Sequence, residues 1–442
     1  MNIQLSDHFN IQRLIRFTLP TIGMMVFSSV YGVVDGLCVS NWIGEEALAA
    51  VNIVMPFPLM CSALGLMFGS GGAAYLSRTL GHGDVRRANA ILSLVVISAI
   101  IVGLVATVSG YIYMPQIASA LGADSVLSPI CVAYGRVYML AMIPYILQNV
   151  FQSLLVTASK PRLALRITLI AGFTNIFLDI LLVGFAGFGV TGAAWATFVS
   201  CLIGGVVPLV YLMSPNGSLL RMSRPILDFR ALRSICFNGS SEMVTEMAVP
   251  LCSVLYNLRL MGMVGQDGVA AYGTITYVSY IFVAAMLGYF TGLENIIGYH
   301  FGAENFAEVQ NLRRKSLKLM AYFGVITFSC AWIAAPWLSG LFVGYNEQLA
   351  ALTTHGFRLF SLAFLIMGIN AFTSSLFTAV GNGLISATIS FCRTFLFQAF
   401  AVAVVPLLLG LDGVWLSMFV AEFFCLAVSA FFYWRYKSIY RY

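Results

Sequence analysis

The 442-residue chain is far more apolar than a soluble protein, with 60% hydrophobic and 9% charged residues; soluble domains have roughly 45–50% and about 25%. A soluble fold of this length could not keep so much apolar surface away from water. The formal net charge of +6 does not indicate nucleic-acid binding, because the basic residues are dispersed over several loops and form no aromatic-interleaved patch. Composition therefore predicts a membrane protein.

Twelve apolar stretches follow one another along the chain, each of the roughly 20 residues that a membrane-spanning helix needs. The alternating ten-residue pattern of a membrane β-barrel is absent. We predict an all-α membrane protein with twelve transmembrane helices. They are expected near residues 14–39, 49–76, 89–113, 130–156, 164–184, 191–213, 235–260, 269–298, 316–337, 353–380, 386–409 and 413–434.

Lysine and arginine residues are concentrated at both chain ends and in the links after predicted helices 2, 4, 6 and 8, for example Arg86, Arg224 and Arg314. The other links carry acids such as Glu46 and Asp124 and almost no basic residue. Basic loops stay on the cytoplasmic side of a membrane. We therefore predict a multi-pass protein of the bacterial cytoplasmic (inner) membrane with both termini in the cytoplasm.

The sequence repeats itself once. Gly81 corresponds to Gly302 at a shift of 221 residues, the difference of their residue numbers. Asn149 and Asn370 are separated by the same shift. Six helices per half make a parallel repeat, whose halves can rock to give alternating access. The predicted organisation is two pseudo-symmetric six-helix lobes, residues 1–213 and 235–442, joined by a cytoplasmic linker, residues 214–234.

No motif indicates an energy source or an active site within the chain. The glycine-rich run Gly65–Gly72 lacks the lysine of a nucleotide-binding loop. Neither an HExxH nor a GxSxG motif occurs. We predict a protein that is not an enzyme and has no cofactor, and whose work comes from a gradient of a coupling ion, Na⁺ or H⁺.

Acidic residues within the predicted helices are candidates for ion coupling, because ionisable groups in a membrane are costly. Asn175 and Asp179 are four residues apart and so share a helix face. With Asp35 and the hydroxyl of Thr197 they form a predicted all-oxygen site for Na⁺ or a proton. Neither aspartate has an acidic counterpart in the repeat. The alternative is that Asp179 only caps a kink or bonds to a neighbouring helix.

A second group of acids lies in the C-terminal half. Glu242, Glu246 and Glu294 are candidates for a substrate site or a second acidic site, with Glu294 expected near the C-lobe cavity. Glu242 and Glu246 have an alternative interpretation as acids in the first turn of a helix, where the helix dipole favours them. Glu422 is a further acid within a predicted helix. The alternative to a functional role is that it only pairs with a neighbouring helix.

Five segments resemble the multidrug and toxic compound extrusion (MATE) family, in order and spacing, over essentially the whole chain. They are LPTIGMMVFSSVYGVVDGLCVSNWIGEEALAAVNIVMP at 19–56, LGHGDVRRA at 80–88, NIFLDILLVGFAGFGVTGAAWAT at 175–197, GVAAYG at 268–273 and IIGYHFGAEN at 296–305.

This resemblance implies Na⁺- or H⁺-driven antiport of organic, often cationic compounds. It places the family's cation site at the same four residues, Asp35, Asn175, Asp179 and Thr197, and a helix-1 bend at Pro20. The chain departs from the family pattern at Glu294 and Asn295, where relatives usually have a neutral residue followed by proline.

The expected partners are small organic molecules and membrane lipids, without nucleic acid, and two fused lobes make a monomer sufficient. Two alternatives stay open. A flippase for lipid-linked oligosaccharides would need a cationic cavity, so it depends on whether intramembrane arginines line the cleft. The candidates are Arg136, Arg259, Arg358 and Arg393. A membrane-embedded enzyme would need a clustered catalytic set, and the sequence contains none.

Overall fold

The computed structural model describes residues 3–43, 45–344 and 346–440, with the backbone alone for residues 33–41, 43, 45, 46 and 48. Within these ranges the chain is helical and contains no strand. The helices are α1 (Ile11–Ile43), α2 (Glu45–Val54), α3 (Pro56–Gly81), α4 (Val85–Ala120), α5 (Ser128–Leu140), α6 (Met142–Thr157), α7 (Pro161–Asp179), α8 (Gly189–Met213), α9 (Phe229–Met263), α10 (Gln266–Gly302), α11 (Phe306–Val343), α12 (Glu347–Ser361), α13 (Phe364–Val380), α14 (Gly383–Phe391) and α15 (Phe397–Tyr440), with π-helical turns at Ile180–Phe185 and Cys392–Leu396.

The membrane crossings can be counted from the described helices. Eight helical segments are long and apolar enough to span a bilayer, and ten are when the bent pairs α5–α6 (52°) and α12–α13 (46°) each count as one. One of the eight is the 58-residue run Gly383–Tyr440, which at about 1.5 Å per residue exceeds twice a hydrocarbon thickness of about 30 Å. Gly410 breaks this run into two. The 35-residue α9 is long enough for a further crossing. The described helices are thus consistent with twelve crossings, and the predicted all-α membrane fold is confirmed.

The backbone repeats its irregular points at the predicted shift. Gly189 and Gly410 lie 221 positions apart and both have φ of 58°. Helices α4 and α11 are capped alike, because the side chains of Asp84 and Asn305 each accept a hydrogen bond from the backbone N–H three residues later. The bends α5–α6 and α12–α13 also correspond. Equivalent positions in the two halves thus have equivalent local structure.

Helix α9 begins at Phe229, six residues before its predicted start, because Asp228 caps it. The Asp228 carboxylate accepts hydrogen bonds from the N–H groups of Ala231 (2.9 Å) and Arg230 (3.1 Å). The Arg87 guanidinium lies 3.3 Å away. These interactions hold the pKa of the Asp228 carboxyl below its usual range. The hydrogen bond from the Ala231 N–H contributes most, and those from the Arg230 N–H and Arg87 contribute less. The last six residues of the predicted linker, 229–234, therefore belong to the first two turns of α9.

The chain divides into two compact units that differ from the predicted lobes. One unit contains Met1–Gly239 and Leu287–Glu304, and the other contains Ser240–Met286 and Asn305–Tyr442. The lobe bounds, which follow the sequence repeat, stay a prediction. The second half of α10 packs in the first unit because small residues permit it. A methyl group on Gly288 would lie 2.5 Å from the Cα of Ile22, so α1 and α10 approach closely there.

Candidate functional site

Two of the predicted coupling residues are buried on α7. Asn175 is 2% exposed and Asp179 is fully buried, one turn apart on the same face. The Oδ1 atom of Asn175 accepts no hydrogen bond from any described residue, although a buried acceptor normally has a donor. Helix α7 ends at Asp179, and the π-helical turn Ile180–Phe185 follows directly. Such turns are frequent at functional sites.

The other two coupling residues lie on helices that pack against α7. Helices α1 and α8 both contact α7. Thr197 on α8 is half-buried, and its hydroxyl donates to the Ala193 carbonyl at 3.1 Å, which leaves its oxygen lone pairs available. The backbone of Asp35 lies in α1, and its side chain is outside the described residues. The structure brings together the three helices of this site, while the coordination of an ion stays a prediction.

Pro20 lies in the interior of α1 and is buried. A proline has no N–H group, so the carbonyl of Arg16 loses its helical hydrogen bond, and the helix is weakened at this point. Helix bending at Pro20 stays a prediction.

The second compact unit contains a polar, aromatic cavity with about 760 Å³ of empty space, including its open mouth. Its walls come from α9, α10, α12, α13, α15 and the π-helical turn Cys392–Leu396. Tyr256 and Tyr272 stack on one side, with ring centroids 4.7 Å apart and an interplanar angle of 7°. Tyr280 and Gln398 also line it. Flat aromatic walls with a few polar groups are typical of small-molecule sites.

A buried ion pair forms part of the cavity wall. The guanidinium of Arg393 lies 3.5 Å from the carboxylate of Glu422, which is fully buried. Asn370 donates a hydrogen bond of 2.7 Å to that carboxylate and one of 2.8 Å to the Glu422 carbonyl. The alternative role of Glu422, as the partner of neighbouring helices, is therefore confirmed.

Glu242 and Glu246 lie one turn apart in the interior of α9. Their interpretation as acids of a first helical turn is wrong, because α9 begins at Phe229 rather than near 235. Glu242 is close enough to Arg393 to interact with it electrostatically, and Glu246 likewise interacts with Tyr280. Both acids are thus near the cavity, and their role as a substrate or second acidic site stays a prediction.

Glu294 is a buried acid on α10. It is 7% exposed and belongs to the first compact unit, where the hydroxyl of Ser70 donates to its carboxylate at 3.5 Å. The next residue, Asn295, accepts hydrogen bonds from Ser77 (2.8 Å) and Thr157 (2.6 Å). Glu294 thus belongs to a different compact unit from the residues that line the aromatic cavity, because α10 approaches α1 closely, and its role as a substrate or second acidic site stays a prediction.

The intramembrane arginines are distributed over different environments. Arg136 lies over the ring of Tyr111 at 5.4 Å and Arg358 over Trp332 at 5.6 Å. Arg393 lines the cavity, where Glu422 balances its charge.

Sequence reasoning did not identify Asn370 as a partner of Glu422. The available signal was its place in the repeat, opposite Asn149.

Twelve helical crossings, an internal repeat and a polar cavity define a polytopic membrane transporter. The sequence profile of the MatE family matches the chain twice, at residues 20–181 and 243–404. The two matches cover more than half of the chain, and they independently support the repeat. The chain belongs to the MatE family, and the resemblance read from its sequence is confirmed.

Curated relatives cover almost the full length. The Multidrug export protein MepA of Staphylococcus haemolyticus (strain JCSC1435) is 23% identical over 95% of this chain and 92% of its own. The protein of that name from Staphylococcus aureus (strain NCTC 8325 / PS 47) is 22% identical over 93% and 91%.

Solved structures share the fold. An outward-facing multidrug resistance MATE family transporter of the MOP superfamily superposes with a TM-score of 0.92 at 20% identity, covering 97% of this chain and 96% of that one. A MOP superfamily transporter from Pyrococcus furiosus Vc1 (DSM3638), whose binding pocket is described as having reverse polarity, gives 0.90 at 21% identity, with the same coverage. At this identity the likeness concerns the fold alone.

Proposed function

We propose that this transporter is a secondary active antiporter. It exports organic compounds, often cationic and amphipathic, in exchange for Na⁺ or H⁺ by alternating access. The observation that carries the proposal is the double match to the MatE family, together with full-length relatives named multidrug export proteins.

The cavity of the second unit supports an organic, cationic substrate. The stacked pair Tyr256 and Tyr272 offers a flat apolar surface, and aromatic faces also attract cations. The carboxyl groups of Glu242 and Glu246 lie nearby, and a bound cation would favour their ionised forms. Among the described residues, Arg393 is the arginine of the wall, and Glu422 balances its charge. This charge distribution favours a cation over the pyrophosphate of a lipid-linked oligosaccharide, so the flippase alternative has less support.

The buried oxygen groups of the first unit support ion coupling. Asp179 and the acceptor atom of Asn175 lie beside the helices that carry Asp35 and Thr197. A bound cation or proton shifts the balance between two conformations only through its differential affinity for them. Reciprocity then requires the substrate to weaken cation binding by the same factor. The proposed setting is the bacterial inner membrane with both termini cytoplasmic, and the transporter acts as a monomer with no cofactor.

The proposal is tested by transport in proteoliposomes that contain the purified protein. A fluorescent organic cation is loaded, and either a Na⁺ or a H⁺ gradient is imposed. We expect dye movement that follows one gradient and stops when that gradient is collapsed by the matching ionophore. Empty liposomes and the other gradient are the controls.

Dye movement at equal rates with both gradients collapsed would overturn antiport. Movement of a lipid-linked pyrophosphate, with no movement of the cation, would favour the flippase instead.

A further inference from the structure

A second cavity lies in the first unit, at the basic end of the helices. It has about 470 Å³ of empty space, including its open mouth. Side chains near the N-terminus of α1 and the turn before α7 surround it. Phe17 and Pro20 of α1 and Pro161 of α7 are buried at its walls. This basic pocket is separate from the coupling residues and from the aromatic cavity described above.

Among the described residues, three cationic side chains and no acid line the basic pocket. Arg16 and Arg162 are exposed and Lys160 is half-buried. None of the three forms a hydrogen bond or an ion pair with another described residue through its side chain. Like charges that share a cavity repel one another, so an anion between them would be stabilised.

The backbone adds to the positive potential of the pocket. No side chain caps the N-terminus of α7, where Lys160 is the capping residue and Pro161 follows. The preceding residue, Ser159, has φ of 57°, a left-handed conformation that is uncommon for residues other than glycine. The positive end of the α7 dipole therefore faces the pocket together with the three side chains.

We propose that the basic pocket binds the phosphate of an anionic membrane lipid. Apolar side chains next to it favour a lipid over free phosphate. Ile15 and Leu19 are exposed on α1 beside Arg16, and Ile170 and Phe173 are exposed further along α7. A lipid whose phosphate occupies the basic pocket would place its acyl chains along these apolar surfaces. Basic pockets between membrane helices are known sites for acidic lipid head groups.

Lipid binding is measured by native mass spectrometry of the full-length protein in neutral detergent. The probes are dioctanoyl phosphatidylglycerol, dioctanoyl phosphatidylcholine, and glycerol 3-phosphate with inorganic phosphate. We expect phosphatidylglycerol to bind at least about tenfold more tightly than the other probes. Arg16→Gln/Arg162→Gln should weaken its binding about 30-fold, as expected for two basic groups near a lipid surface.

The matched control is Arg13→Gln/Arg166→Gln, which removes one exposed arginine from each of the same two helices outside the basic pocket. It should change the affinity less than about threefold, because long-range attraction between exposed charges is screened. Equal losses in both double variants would overturn the site in favour of diffuse attraction. Competition by glycerol 3-phosphate at the concentration of the lipid would overturn the choice of a lipid.

A photoreactive phosphatidylglycerol on the unmodified protein gives a test that needs no variant. We expect crosslinks in peptides that contain residues 16–20 and 159–163. Crosslinks confined to the arginine-rich linker, residues 214–228, would contradict the proposal. Neither outcome bears on dye transport, so this test is independent of the proposed antiport.

Discussion

The two halves of the chain share a backbone plan but differ in their charged residues. Gly189 and Gly410 have the same positive φ, and Asp84 and Asn305 cap equivalent helices. Where the first half has Asn175 and Asp179, the second has Leu396 and Phe400, by the shift of 221 residues.

The second half has charges of its own. Arg393 and Glu422 correspond to Gly172 and Cys201 of the first half. Duplication thus preserved the groups that shape helices, such as caps and bends, while each half acquired separate polar residues within its membrane helices. The comparison teaches that scaffold and chemistry can be varied independently, and four groups of substitutions test it.

The largest effect is expected at the acids that only the first half has. Asp35→Asn and Asp179→Asn should each reduce gradient-driven efflux to background, because an amide neither releases a proton nor holds a cation as a carboxylate does. Asn175→Ala and Thr197→Ala should be equally severe if the ion is Na⁺, which needs several oxygen ligands, and milder if it is a proton. Efflux from proteoliposomes measures both.

The matched control is Asp412→Asn in the second half. Asp412 is an exposed acid that pairs with His355 at 2.8 Å, and the same chemical change there should leave efflux nearly unchanged. Full efflux by a well-expressed Asp35→Asn/Asp179→Asn protein would remove these acids from the mechanism.

The next effect concerns the ion pair that only the second half has. Arg393→Gln leaves the fully buried Glu422 without its cation, and breaking a buried pair from one side typically costs about 3–5 kcal/mol. Thermal unfolding in detergent should show a clear drop in melting temperature. Arg393→Met/Glu422→Leu should be less damaging than Arg393→Gln, since it leaves no buried charge. A double variant that is less stable than the single one would argue against this pairing.

A smaller effect, present in both halves, is expected at the shared positive-φ glycines. Gly189→Ala and Gly410→Ala should each cost about 1–3 kcal/mol, because a residue with a Cβ is strained at a positive φ. At Gly410 the ψ of −137° adds to this strain. No atom lies within 4 Å of either added methyl group, so packing contributes little.

Gly273→Ala is the control, because Gly273 lies in the interior of α10 with equally open surroundings and no positive φ. It should be neutral or slightly stabilising. A loss at only one of Gly189 and Gly410 in thermal unfolding would break the equivalence of the halves.

The smallest effect is expected at the turn before α4 and α11. Gly83 has φ of 82°, and its equivalent Glu304 has φ of 54°. Glu304→Gly should therefore stabilise the protein slightly, by up to about 1 kcal/mol, while Gly83→Ala should destabilise it by a similar amount. Opposite shifts in melting temperature are the expected result, and shifts of the same sign would contradict a shared turn.

Much of the fold could be predicted from the sequence, because crossing a membrane imposes an apolar length that hydropathy detects. The shift of 221 residues identified the repeat, and the charges of the loops predicted the orientation in the membrane. The start of α9 at Phe229 was not predicted, because its first residues include Arg230 and Arg233, which lie outside the apolar stretch. The cap at Asp228 is the signal that could have found it.

The candidate site was harder to predict where it depends on contacts between distant residues. Asn175 and Asp179 are four residues apart, so helical periodicity identifies their shared face. Arg393 and Glu422 are 29 residues apart and on different helices, and no periodicity relates them. The sequence could not show that Glu294 belongs to the first compact unit, because its surroundings depend on how closely α10 approaches α1 at Gly288, a property of the packed structure.

The division of α10 between the compact units has a consequence for biosynthesis. Ser77 and Thr157 find their common hydrogen-bond partner in Asn295, more than a hundred residues later in the chain. Domains generally fold from the N-terminus as the ribosome synthesises them, yet this unit cannot be completed until translation has passed residue 304. Until then Ser77 and Thr157 lack the side chain of Asn295 as a partner, and a chain released at the linker would lack this segment of the unit.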